Sequence, residues 1–359
     1  MIDEVRLSRR AVGTLALLGV LSACKPAGNA SATAPQPSSL PSGAADPSAG
    51  DGLASVQPGA PASSGAPTRS PSPAAAAQRA PAQTFTVSVK SLNLSRATDR
   101  PLRTLVSYPT AAGRYPLVLF SHGLHGTPEA YQNITKSIAA AGFVVAAPAY
   151  PFTNGNAASF NAGDMANQPA DASYVIGEVL KQDGSFGTAR IDATRIGAAG
   201  HSAGGYTTVG MLSGKTRDTR LKAGIVIAGG QLGGSFTGPA ASVLFVHGDK
   251  DNVVPYSTGR AAFGKVSWPK AMLTLIGGDH GNYLFGSSAM ASAASRTMLD
   301  FLRWALDHDT TARDRLPEDA SVAGVSTFES VGIFPSAAPA RSVSPAPNPG
   351  PARAAAQGR

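Results

Sequence analysis

The sequence predicts an α/β domain whose sheet is mostly parallel and covered by helices on both faces. Three observations carry this. Strand-like and helix-like segments alternate through the middle of the chain. The strand-like segments are short and rich in Val, Ile, Leu and Ala, as suits strands buried on both faces. Proline is unevenly spread: of 28 in 359 residues, 11 fall in 25–83 and 7 in 309–359. The globular part is therefore expected over 84–308, a length that can bury a large core.

The elements follow in order. Strands are expected at 85–90 and 102–108, then at 117–121 (Leu117-Val118-Leu119-Phe120-Ser121) and 143–148 (Phe143-Val144-Val145-Ala146-Ala147-Pro148). Further strands are expected at 195–200, 223–228, 243–247 and 271–276. Helices are expected between and after them at 128–141, 170–182, 203–213, 256–264 and 288–307. Pro128 and Pro169 stand where helices like to begin. Two early strands followed by repeated β–α alternation imply parallel connections. Roughly 14 residues separate the strand ending near Ala228 from the next, too few for a large lid domain. The longer loop, 150–168, carries Tyr150, Phe152, Phe160 and Met165 among Gly and Asn. It follows a strand at the end where such sheets bind ligands, so it is read as a wall of the substrate pocket.

Several function classes drop out. One Cys excludes an internal disulfide framework. No apolar run reaches about 18 residues, which excludes a polytopic membrane protein. The net charge is +8, yet the densest basic stretch, Lys215 to Lys222, is interrupted by Asp218. It reads as a solvated turn, and no nucleic-acid partner is expected.

The ends of the chain read differently from its middle. Arg6, Arg9 and Arg10 precede an apolar run, Ala11 to Ala23, that is too short to span a bilayer. Leu21-Ser22-Ala23-Cys24 resembles the bacterial lipobox, which implies a signal peptide over 1–23 and lipidation of Cys24. Ser8-Arg9-Arg10 partly resembles a twin-arginine motif, so Sec and Tat export both stay open. Residues 24–83 are Ala/Pro/Ser/Gly-rich with few aliphatics, which suggests a disordered tether. The segment 309–359 is expected to be a low-complexity, disordered tail. The implied location is the bacterial cell envelope, lipid-anchored, at the outer membrane if the organism has two.

The chemistry gathers at strand ends. Gly200-His201-Ser202-Ala203-Gly204 matches G-x-S-x-G, follows a strand and opens a helix, the setting of a nucleophile elbow. The turn is sharp, so residues without bulky side chains must flank the serine, and Gly200 and Gly204 do. The Ser202 hydroxyl is a poor nucleophile without a neighbouring base. The candidate base is His280, in Gly278-Asp279-His280-Gly281 after the last expected strand. The acid should follow the preceding strand, where Asp249 and Asp251 compete. Of two backbone N–H groups needed to hold a developing oxyanion, one should come from Ala203, the residue after the nucleophile. His122, His125, His201, His247 and His280 all fall near strand ends, but no pair has zinc-helix spacing. No metal and no cofactor are expected.

These pieces resemble α/β-hydrolases, in particular the dienelactone-hydrolase, chlorophyllase and platelet-activating-factor-acetylhydrolase-like branch, to which bacterial polyester hydrolases are related. The resemblance covers about 84–308 and is carried by Phe120-Ser121-His122-Gly123-Leu124, Gly142 to Pro148, Asn167 to Asp171, the Ser202 elbow, and His247-Gly248 through Asp251 to Val254-Pro255. It implies the α/β-hydrolase fold and a Ser–Asp–His order along the chain. The pattern H-G-x-x-D-x-x-V-P implies that Asp251 is the acid and that Asp249 shapes the turn. The match of His122-Gly123-Leu124 to H-G-x implies that Leu124 gives the second oxyanion amide, with Gly123 allowing close approach. Asp279 is read as holding the His280 loop, and Asp171 and Asp192 as structural. His125, Phe152, Phe160 and Met165 are the candidate pocket residues. The implied activity is a serine carboxylesterase acting through an acyl-enzyme on a small-molecule or lipid ester. The alternatives are a phospholipid or platelet-activating-factor-type acyl hydrolase and a non-catalytic envelope-binding lipoprotein on a hydrolase scaffold.

Overall fold

The computed structural model of the chain describes residues 84–335. The expected signal peptide, the lipidation site Cys24 and the tether lie outside the described residues, as does the tail beyond 335. Nine strands form one sheet: β1 (Val87–Ser95), β2 (Pro101–Pro109), β3 (Gly113–Ser121), β4 (Val144–Pro148), β5 (Ala189–His201), β6 (Leu221–Ile227), β7 (Ser242–Gly248), β8 (Lys270–Leu275) and β9 (Ser326–Val331). Their order is β1-β2-β4-β3-β5-β6-β7-β8-β9. From β4 to β8 every pairing is parallel, while β1–β2, β2–β4 and β8–β9 are antiparallel.

Alternation along the central strands explains both helical layers. Successive side chains of a strand point to opposite faces. Leu117, Leu119, Val144, Ala146, Val243 and Phe245 join one core. Val118, Phe120, Val145, Ala147, Leu244 and Val246 join the other. The first core is closed by α2 (Gln168–Lys181), α3 (Ala203–Leu212) and α4 (Tyr256–Lys265), through Val175, Ile176, Val209, Leu212 and Phe263. The second is closed by α1 (Gln132–Ala140), α5 (Ala289–Asp307) and α6 (Thr310–Ala320), through Ile134, Ile138, Met298, Phe301, Leu302 and Leu316. The expected doubly covered sheet is therefore present, as an α/β-hydrolase arrangement.

The domain does not stop at 308. Residues 310–331 form α6 and β9, and β9 pairs antiparallel with the whole of β8, from Lys270↔Val331 to Leu275↔Ser326. The physical reason is the edge of the sheet: without β9 the backbone groups of β8 would lie unpaired along one side. Asp309 caps α6 by accepting from the Ala312 amide at 3.0 Å, so the helix starts at a normal N-cap despite its charged sequence.

Candidate active site

The chemical groups sit on turns that leave the carboxyl ends of the parallel strands. Ser202 lies between β5 and α3, Asp251 follows β7, His280 follows β8, and the turn 122–126 follows β3. Side chains far apart in sequence converge there because those strands run parallel in one sheet.

The elbow at Ser202 is strained, with φ 56° and ψ −119° for a non-glycine residue. Close packing holds it. A Cβ on Gly204 would stand 2.0 Å from the Ser121 carbonyl oxygen, and one on Gly200 would stand 2.3 Å from the Gly204 carbonyl oxygen. The Ser202 N–H donates to Ile227 O at 2.9 Å, which pins the turn to β6.

His280 bridges the other two groups. Its Nε2 lies 2.8 Å from Ser202 Oγ, and its Nδ1 lies 2.8 Å from Asp251 Oδ2. Asp251 is buried, and burial alone would push its carboxyl up. Hydrogen bonds from His247, His280 and the Val254 amide outweigh that and hold it well below the usual carboxylate range. Its Oδ1 accepts from the amides of Val253 (2.9 Å) and Val254 (2.8 Å). His247 Nε2 stands between Val254 O (2.8 Å) and Asp251 Oδ2 (3.3 Å). Asp249 points the other way and accepts from the Gly277 amide at 2.7 Å. Asp279 accepts from the Gly281 and Asn282 amides at 2.9 and 2.7 Å, closing the turn that carries His280.

In the turn 122–126, Gly123 N–H donates to the Tyr131 hydroxyl (3.3 Å), His125 N–H to Thr153 O (2.9 Å) and Gly126 N–H to Gly123 O (2.9 Å). Among the described residues this leaves the Leu124 amide without such an acceptor. The Ala203 amide is the first of α3 and one of the N–H groups that a helix start leaves unpaired. Gly123 lies close to Ser202, since a Cβ there would be 3.2 Å from Ser202 Cβ.

Two further histidines are locked as neutral rings. His122 Nδ1 donates to Gly123 O (2.7 Å), so its Nε2 accepts the Tyr150 N–H (3.2 Å). Burial pushes it down to about 4 against that carbonyl bond. His201 is likewise pushed down to about 4, by burial first and then by the neighbouring His280.

Of the four candidate pocket residues, two meet. The His125 ring stacks on Phe160 with centroids 3.8 Å apart and planes 12° apart, and Phe160 is exposed. Phe152 instead lies beneath the Arg100 guanidinium, 5.5 Å from ring centroid to Cζ, and lines a cavity of about 430 Å³ with Arg103 and Asn156. That cavity does not include Ser202, Asp251 or His280 among its lining residues. Met165 is buried beside Asp164, which joins Asp171 in gripping Arg100. Asp171 is thus a buried anchor of the 150–168 loop, in keeping with its expected structural role. Asp192 binds Thr194 and Arg195 within β5. Gln168, fully buried, ties that loop to α3, donating to Thr153 Oγ1 (2.6 Å) and accepting from Thr207 Oγ1.

Comparison with known proteins adds to this geometry. A family model described as Chlorophyllase matches residues 75–235. The chain has the α/β-hydrolase fold. It is 25% identical over 235 residues to Cutinase 1 of Thermobifida cellulosilytica, covering 64% of this chain and 84% of that protein. It is 26% identical over 235 residues to the cutinase of Thermobifida fusca (strain YX), covering 64% of this chain and 73% of that one. The family match takes in the 122–126 turn and Ser202 but ends before Asp251 and His280, so within this α/β-hydrolase fold the placing of those two rests on the distances above.

One residue escaped the sequence reading. Tyr131, just before α1, donates from its hydroxyl to His201 Nδ1 at 2.8 Å. It belongs to no motif. The only available signal is that a tyrosine at the start of a half-apolar helix needs a partner for its hydroxyl when buried.

Proposed function

We propose that the chain is a serine-dependent hydrolase of carboxylic esters. The observation that carries this is the double bridge at His280, 2.8 Å to Ser202 Oγ on one nitrogen and 2.8 Å to Asp251 on the other. Carbonyls and carboxylates only accept, so an ionised Asp251 takes the Nδ1–H and leaves Nε2 bare toward the serine, the state a general base needs. His280 takes the Ser202 proton as Oγ bonds to the ester carbonyl carbon. The carbonyl electron pair moves to oxygen and is held by the Leu124 and Ala203 amides. Collapse breaks the ester C–O bond, and His280 returns the proton to the leaving alcohol. Water, deprotonated by His280, then attacks the acyl-enzyme, and Ser202 Oγ departs and recovers its proton. The similarity to a family named Chlorophyllase and to proteins named cutinases supports ester hydrolysis as the reaction class.

The reading includes export and a lipid on Cys24, which rest on the resemblance of Leu21-Ser22-Ala23-Cys24 to the bacterial lipobox. One experiment tests both parts. A fluorophosphonate probe should label wild-type protein and leave Ser202→Ala unlabelled at equal folded concentration. Run on detergent-phase and aqueous fractions of cells, the labelled band should sit in the detergent phase and leave it in Cys24→Ser. An unlabelled wild-type chain would point to the non-catalytic scaffold instead, and a wholly aqueous wild-type band would remove the anchor.

A further inference from the structure

His201 and Tyr131 form a directed chain beside the nucleophile. His201 Nε2 lies 2.6 Å from His280 O, and a carbonyl oxygen can only accept, so Nε2 carries the proton. A neutral ring then has a bare Nδ1, which accepts the Tyr131 O–H at 2.8 Å. With its one proton directed there, the Tyr131 oxygen accepts the Gly123 N–H at 3.3 Å. The direction of every bond is thereby forced, from Gly123 N–H through Tyr131 and His201 to the His280 carbonyl. The His201 ring is wedged between the two glycines that flank the proposed working groups. A Cβ on Gly123 would meet His201 Nδ1 at 3.5 Å, and a Cβ on Gly281 would meet His201 Nε2 at 3.2 Å.

We propose that Tyr131 and His201 are positioning residues that hold the amide-bearing turn 122–126 and the base His280 at a fixed separation across Ser202. The inference rests on the esterase reading, because it assigns these two residues to that site. His280 must stay in line with Ser202 Oγ while the Leu124 amide stays aimed at the oxyanion, and the two lie on turns after β3 and β8, which are not adjacent strands. Separate packing of each turn would leave that separation unset. The Tyr131–His201 chain sets it through three hydrogen bonds. Burial fits both residues for this role. Tyr131 is pushed up to about 12 and stays a phenol, and His201 stays a neutral ring even when the adjacent His280 carries a proton in mid-reaction.

The test is a double-mutant cycle on a soluble p-nitrophenyl ester. Tyr131→Phe keeps the ring that packs on Phe120 and Phe285 and deletes only the hydroxyl. It should lower kcat about 10-fold to 10²-fold, with KM within about twofold, since misalignment weakens the transition state rather than binding. His201→Leu should lower kcat at least as much, and His201→Gln, which can still donate to His280 O, should recover part of the loss. In the His201→Leu background, adding Tyr131→Phe should cost little more, because the chain is already cut. Fully additive losses, a rise in KM with kcat intact, or wild-type kcat in Tyr131→Phe would each overturn the inference. Should His201→Leu fail to fold, Tyr131→Phe alone carries the test, a drop in kcat with KM intact supporting the inference and a wild-type kcat overturning it. A wild-type chain that cleaves no ester would remove the esterase reading itself, whereas an active wild type with an unaffected Tyr131→Phe removes only this inference.

Discussion

Asp249 and Asp251 stand two residues apart on one turn and have different roles. Asp251 receives four donors, and its second oxygen faces His280. Asp249 caps the neighbouring turn at Gly277 and touches no group of the proposed triad. Asp251→Asn should therefore lower kcat by at least about 10²-fold, and by up to about 10⁴-fold, because the amide no longer fixes the tautomer or stabilises the imidazolium. Asp249→Asn should stay within about 10-fold, the loss being one turn hydrogen bond. Steady-state kinetics on both variants decides, and the reverse ranking would put the acid at the wrong aspartate. Sequence alone left these two open on chemical grounds, since both are carboxylates after the right strand. Only the family pattern separated them, and the two differ in their surroundings: Oδ1 of Asp251 is captured by amides two and three residues on, which turns Oδ2 toward His280.

Among the elements, the strands and helices that carry apolar periodicity were legible, and those that carry little were not. The central strands read as runs of Val, Ile, Leu and Ala because both of their faces are covered. β5 is longer than expected, beginning at Ala189, because its first half pairs with β3 before a register shift at Pro116/Leu117. α6 and β9 were missed for physical reasons. Thr310 to Ala320 is mostly polar or charged and holds Pro317, and only Ala312, Leu316, Asp319 and Ala320 are buried. β9 has one neighbour and alternates weakly along Ser326-Thr327-Phe328-Glu329-Ser330-Val331. Both are held by what they pack on, a tertiary effect that local pattern does not record. Leu316 carries much of that hold, being fully buried in the second core. Leu316→Ala should destabilise the protein by about 2–5 kcal/mol, the cost of a core leucine. A urea melt giving less than about 0.5 kcal/mol would mean that 309–335 is a loose appendage after all.

At the scale of the whole molecule, burial of neutral histidines makes stability depend on pH. His122 and His201 are both pushed from their ordinary value to about 4, so between roughly pH 6.5 and 4 the unfolded chain holds two protons that the folded chain does not. Stability from these groups is fully present above about 6.5 and is lost as pH falls toward 4, at about 1.4 kcal/mol per pH unit for each ring. Two carboxyls oppose them, Asp307, which burial also raises, and Asp300. Asp300, between α5 and α6, is raised to about 6, chiefly by burial, against its bond to Arg315 and with help from Asp319. Its contribution is present below the unfolded carboxylate value and is lost as pH rises through about 6. The two large histidine shifts outweigh the one large carboxyl shift at Asp300 and the smaller one at Asp307, so unfolding free energy should fall on acidification from pH 6.5 to 4.5, and more steeply below that as the paired carboxylates of Asp251, Asp218 and Asp192 also protonate. Chemical denaturation across pH 4.5–7.5 measures the slope. His201→Gln should flatten it by about one proton's worth and Asp300→Asn should steepen it by a similar amount. An unchanged slope in His201→Gln would mean that the ring is not held neutral by the fold, and the forced direction of the bonds from Tyr131 to the His280 carbonyl would fall with it.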